Sequence, residues 1–172
     1  MNRKWTNLIV TGIVLIVVQL LTTNSISFYG LFNPKIYPIF LLLLPRDIKS
    51  AFYMLIGFFY GAIIDILCNT QGFGMASSVF ITFIRPYALA LIYNKSPKEE
   101  SEISIKIQGE NLVFIYLFIG LLLFHIFYFF TELGEIANVF YILLKSILSS
   151  TMAIILYAIY YMLFHSMSKK NR

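Results

Sequence analysis

The chain has 172 residues, 59% of them hydrophobic and only 12% charged, where a soluble domain is about half apolar and a quarter charged. That balance, with Leu, Ile, Phe and Tyr in long unbroken runs, excludes a soluble globular domain. It predicts one multi-pass transmembrane domain over residues 1–172. A net charge of +5 is too small to define a partner, and a single cysteine, Cys68, excludes an intrachain disulfide framework.

A membrane-crossing helix needs about 20 largely apolar residues. The first candidate runs from Trp5 to Leu21. No small-residue cleavage site follows it before Thr23-Asn24-Ser25, so it is read as an uncleaved span. The second, Ile26 to Leu44, is interrupted by Asn33, Pro34, Lys35 and Pro38. It is either a short helix beginning near Lys35 or a broken segment buried against its neighbours. Further spans run over Ala51–Cys68, Met75–Ile92, Leu112–Phe130 and Val139–Phe164. Asn94 to Glu110 is the only long polar stretch, mixing Lys95, Lys98 and Lys106 with Glu99, Glu100, Glu102 and Glu110. It reads as a solvated connector or as a docking surface for a cytoplasmic partner. No segment alternates as a barrel strand would.

Basic residues mark the cytoplasmic side. Six spans with both termini inside place ten there: Arg3, Lys4, Arg46, Lys49, Lys95, Lys98, Lys106, Lys169, Lys170 and Arg172. Lys35 alone is then outside, and Arg85 and Lys145 lie within the membrane. Five spans with the N-terminus outside would give nine against two. Six are preferred because a stretch as apolar as Ile39–Leu44 has little reason to turn back.

The usual catalytic groupings are missing. There is no Gly-Lys-Ser/Thr phosphate loop and no His-Glu-x-x-His. His125 and His165 carry no metal-ligand spacing to each other, to Cys68 or to a carboxylate. Thus no enzyme activity, metal or cofactor is expected. His125 is expected to hydrogen-bond a neighbouring helix, and His165 to sit at the inner boundary. The basic residues are topology signals rather than a nucleic-acid patch. The aromatic residues are expected to meet membrane lipid and the interfacial belt.

Gly57, Gly61 and Asp65 recur every four residues and share one helical face. Small residues so spaced let a second backbone approach closely, and internal packing is preferred here to an external dimer face. A carboxylate at membrane depth is costly and faces protein or water. The same holds for Arg85, which precedes Pro86 inside the fourth span. The short connection Asn69–Gly74 makes the two spans neighbours, and their side chains lean toward each other. The sequence therefore predicts a buried Asp65–Arg85 ion pair, with Lys145 as the competing partner. A substrate or proton pathway is the sharper alternative.

Taken in order, Asn33-Pro34-Lys35-Ile36-Tyr37-Pro38 running into Leu41–Pro45, Gly57-x-x-x-Gly61-x-x-x-Asp65, Asn69-Thr70-Gln71-Gly72 and Phe83-Ile84-Arg85-Pro86-Tyr87 resemble the MreD family of rod-shape-determining membrane proteins. The resemblance is nearest to the Bacteroidetes-type members and covers about a third of the chain. It implies an all-α fold of six transmembrane helices, like the substrate-binding subunits of energy-coupling-factor transporters. It also implies a non-enzymatic scaffold in the bacterial inner membrane. Such a scaffold binds the periplasmic protein MreC and connects the actin-like MreB with the wall polymerase and transpeptidase. Asp65 and Arg85 match polar positions of the family's motif, with no catalytic role attached. The alternative from another class is a vitamin-transporter substrate-binding subunit. The first span, Thr11–Val18, lacks the Ala-x-x-x-Ala pair that such subunits often carry.

Overall fold

The computed structural model describes residues 3–25, 33–45, 49–93, 110–134 and 139–170. It contains α1 (Arg3–Ser25), α2 (Pro38–Leu43), α3 (Ser50–Cys68), α4 (Phe73–Tyr93), α5 (Glu110–Leu133) and α6 (Val139–Lys170), with no strand among the described residues. Four helices are long and apolar enough to cross a membrane, through Ser50–Cys68, Phe73–Ala90, Asn111–Leu133 and Val139–Met162. Within α1 the corresponding apolar stretch, Leu8–Thr22, is shorter. The polar connector 94–109 and residues 135–138 lie outside the described residues.

The outside of the bundle is apolar and much of the inside is polar. Phe59, Ile66 and Phe140 are 63%, 80% and 81% exposed, while Gln19, Asp65, Arg85, His125 and Ser149 are buried. This inversion suits lipid as solvent. Hydrocarbon tolerates exposed Phe and Ile, and polar groups must find partners within the protein.

α3 and α4 form the closest antiparallel pair, and α5 packs between α4 and α6. α1 rests against α2 and α3, with the Tyr60 hydroxyl donating to the Gly12 carbonyl at 3.0 Å. The α3–α4 contact depends on small residues. A Cβ on Gly61 would lie 2.6 Å from Met75 Cα, and one on Gly57 would lie 2.8 Å from the Ser78 carbonyl oxygen. Both obstacles are backbone, which cannot swing aside. The Gly57–Gly61–Asp65 face is thus an internal packing face, as its spacing implies.

The segment 33–44 is the unusual element. It runs inside the bundle, with Ile36, Tyr37, Ile39, Leu41 and Leu42 all at most 1% exposed. Asn33–Tyr37 is not helical, Pro38 opens α2, and Leu44 is extended (φ −55°, ψ 147°) ahead of Pro45. Each boundary has a local cause. Pro38 fits the first helical position, and Pro45 disfavours helix at Leu44, the residue before it. Of the two readings of this stretch, the short helix beginning near Lys35 is not what forms: α2 has six residues and begins at Pro38. At 1.5 Å per residue it is about 9 Å long, too short to cross as a helix. The other reading of this stretch, a broken segment buried against its neighbours, describes it. The segment still covers distance along the bundle. Its Lys35 end meets His125 and its Leu42 end meets Tyr116, two residues of α5 about 13 Å apart along the helix axis.

Gly57→Leu and Gly61→Leu are each expected to abolish recovery of monodisperse protein in size-exclusion chromatography. Phe59→Leu, on the exposed side of the same helix, should be recovered at the parental level. Normal recovery of both glycine variants would mean that α3 and α4 are not packed backbone to backbone.

Candidate functional site

The ionisable and amide side chains inside the bundle act mainly on the chain's own backbone, and the segment 33–44 receives most of them. Arg85, 2% exposed, donates Nε to the Leu42 carbonyl at 3.1 Å and Nη2 to the Leu44 carbonyl, and its guanidinium lies over the Tyr53 ring at 4.7 Å. The Tyr116 hydroxyl is a second donor to the Leu42 carbonyl, at 3.1 Å. These carbonyls belong to the C-terminal end of α2, where helix geometry leaves acceptors without intrahelical donors and where a cation is favoured.

The non-helical half, 33–37, is clamped from three sides. From α1, Gln19 accepts the Ile36 N–H at 2.7 Å and donates its amide to the Pro34 carbonyl at 3.3 Å. From α6, Ser149 Oγ accepts the Asn33 N–H at 3.1 Å. From α5, His125 Nε2 accepts the Lys35 N–H at 3.0 Å. An accepting Nε2 places the proton of the neutral ring on Nδ1. Nδ1 then donates to the Leu121 carbonyl at 2.7 Å, with Ser150 Oγ also at 3.1 Å. His125, expected to bond a neighbouring helix, reaches one through Ser150 of α6, and its Nε2 serves the non-helical segment instead. The side chain of His165 lies outside the described residues.

Asp65 organises the turn between α3 and α4. Its Oδ1 accepts from the Thr70 hydroxyl and from the Gly74 N–H at 3.0 Å, and its Oδ2 accepts the Met75 N–H at 2.7 Å. The first N–H groups of α4 have no partners within their helix, and a carboxylate is favoured there by charge as well as by hydrogen bonding. Asn69 ends α3 in the left-handed conformation (φ 53°), and the Thr70 N–H returns to the Asp65 carbonyl at 2.9 Å. Gly74 is required for this approach: a Cβ there would stand 2.5 Å from Asp65 Oδ1 and 2.8 Å from the Tyr37 hydroxyl oxygen.

The expected Asp65–Arg85 ion pair therefore does not form. Asp65 is engaged by the first turn of α4, whereas Arg85 lies three turns further along that helix, against α2 and Tyr53. In low dielectric each charge is stabilised by backbone dipoles of fixed geometry, without needing the other. Lys145, the proposed competitor, is 3.6 Å from Glu132 Oε2 and lies over the Phe129 ring at 4.5 Å. Pro86, next to Arg85, lies inside α4 and offers no N–H to the Thr82 carbonyl.

Sequence reasoning missed Gln19, Tyr116, Ser149 and Gly74. Gln19 had a readable signal, a lone amide in an apolar span. So did Ser146, Ser149 and Ser150, which lie on one face of α6 and are all buried. Tyr116 had none, being one of twelve tyrosines. Among the described residues no group of three or more His, Cys, Asp or Glu side chains is placed to hold a metal ion. No protein-family model, curated protein or solved structure matches the chain.

Because Asp65 and Arg85 have separate partners, a double-mutant cycle of Asp65→Asn and Arg85→Met should show a coupling below about 0.5 kcal/mol. Arg85→Met alone should cost about 3 kcal/mol, because it strands buried carbonyls that now receive a charged donor. Thermal unfolding of the four proteins in one detergent tests this. A coupling of 2 kcal/mol or more (roughly the lower range for a buried pair) would restore the ion pair.

Proposed function

We propose that this chain is a non-enzymatic scaffold of the bacterial cell-wall elongation machinery, similar to the MreD family. In this reading it lies in the inner membrane, crosses it six times with both termini in the cytoplasm, and maintains rod shape by binding an MreC-like periplasmic protein. Through that partner it communicates with an MreB-like filament and with the wall polymerase and transpeptidase.

One observation carries the reading. The four stretches that resemble the family converge on one internal framework. Asn33–Leu44 is the buried segment, Gly57 and Gly61 seat α4 on α3, Asp65 and Thr70 close the turn, and Arg85 holds the end of α2. Charged groups spent on the protein's own backbone suit a component whose task is to keep a shape for a partner. The path of the segment 33–44 supports six crossings: counted with the five long helices, it is a further passage along the bundle, made through protein instead of along lipid. The orientation rests on the basic residues, ten of which this reading places in the cytoplasm, while Lys35, expected outside, is buried in the bundle.

Two measurements test the proposal. Depleting the protein in a rod-shaped host that encodes it should give round or wide cells. Cells that keep their shape but lose uptake of a vitamin would replace the scaffold by the transporter subunit. A reporter active only in the periplasm should give signal when inserted at Gln71 and none when fused after Arg172; signal from the second fusion contradicts six crossings.

A further inference from the structure

The apolar bands that the bundle turns outward differ greatly in height. Among the described side chains, the large exposed apolar ones of α1 begin at Ile9 and end at Leu21, and those of α3 begin at Phe52 and end at Leu67. At 1.5 Å per residue these bands are about 18 and 23 Å tall. On α6 they run from Val139 to Met162, about 35 Å. The hydrocarbon core of a bilayer is about 30 Å thick. Tilting lowers a band and never raises it, so tilt can fit α6 to the bilayer but not α1 or α3.

The two short bands adjoin, because α1 packs on α3. Their C-terminal ends lie at one level: Gln19 accepts the Ile36 N–H, and the next residue, Tyr37, stands against Gly74 beside Asp65. Beyond Leu21, α1 continues with Thr22, Thr23, Asn24 and Ser25, and α3 ends at Cys68 before the exposed Asn69. None of these residue types is long enough to reach distant headgroups. At the opposite ends Arg3, Lys4 and Lys49 are. The shortfall therefore falls on one leaflet of one face. A second helix is a poor cover for it. The exposed residues of α1 and α3 are bulky, and the small-residue face of α3, Gly57 and Gly61, is already turned inward to α4. We infer that the α1–α3 face is an interaction surface for phospholipids with short acyl chains, and that it thins the leaflet at the Leu21 and Leu67 ends. Compressing the bilayer has a modest cost per ångström, which shorter chains remove. This surface is independent of the scaffold reading, since it depends only on the heights of the bands.

The test uses the full chain in phosphatidylcholine bilayers, with its single tryptophan moved. Trp5→Phe with Ile13→Trp puts the probe on the exposed stripe of α1, and Trp5→Phe with Ile147→Trp puts it on that of α6. Each is quenched by dioleoyl lipid brominated in mid-chain. The quencher is then diluted with dimyristoleoyl lipid, whose chains are shorter, or with dieicosenoyl lipid, whose chains are longer. At the α1 probe the short-chain lipid should displace the quencher about 3-fold more effectively than the long-chain lipid, and at the α6 probe it should not. No preference for short chains at the α1 probe, or the same preference at both probes, overturns the inference. An α1 probe that the brominated lipid does not quench is covered by a partner helix or a second copy, which overturns it as well. If either variant is not recovered folded, the parental protein decides. Its unfolding midpoint should be higher in dimyristoleoyl than in dieicosenoyl lipid by about 4 °C or more, and an equal or lower midpoint overturns the inference.

Discussion

A six-residue helix is too short to be stable by itself, because few of its carbonyls find an intrahelical donor. α2 persists because Arg85 donates to the carbonyls of Leu42 and Leu44 at its far end. This contact sets the position of the segment 33–44, and that segment in turn fills the space among α1, α4 and α5. The guanidinium suits the task better than an ammonium would. It is planar, it donates in two directions at once, and its face stacks on Tyr53.

The same logic recurs at the other end of the α3–α4 hairpin. Asp65 supplies acceptors to N–H groups at the start of α4, as Arg85 supplies donors to carbonyls at the end of α2. Each charge sits against the helix end of opposite polarity. A protein surrounded by hydrocarbon gains little from burying more apolar surface, so fixed polar contacts and close backbone packing carry the specificity of assembly. Gly61 and Gly74 belong to this scheme. The first lets α4 approach, and the second leaves room for the carboxylate that caps it. If the bundle is a scaffold, such internal rigidity is what would let it present a constant face to a partner.

Much of this architecture is readable from the residues. Long apolar runs locate α3, α4, α5 and α6, with starts within two residues of those expected, because composition alone dictates helix in lipid. The four-residue spacing of Gly57, Gly61 and Asp65 reveals the α3–α4 contact, and His125 behaves as a lone polar residue in a span should. The partners of Asp65 and Arg85 were not readable. Helix adjacency says that two charges are near one another, but not that backbone groups of a third element will compete for one of them. The segment 33–44 defeated a length-based reading for the same reason. Its prolines announce a break, while its burial depends on Gln19, His125 and Ser149, which are distant in sequence.

The central claim is that this segment is held within the bundle and that Arg85 holds it. Backbone hydrogen exchange of the intact protein in detergent measures this directly. Amides of Ile36 to Leu43 should be protected to the same degree as those in the middle of α3 and α4. In Arg85→Lys, which keeps the charge but loses the fork of donors, protection should fall in that segment while α3 and α4 keep theirs. Rapid exchange of Ile36 to Leu43 in the parent protein, or exchange there unchanged by the substitution, would contradict the account.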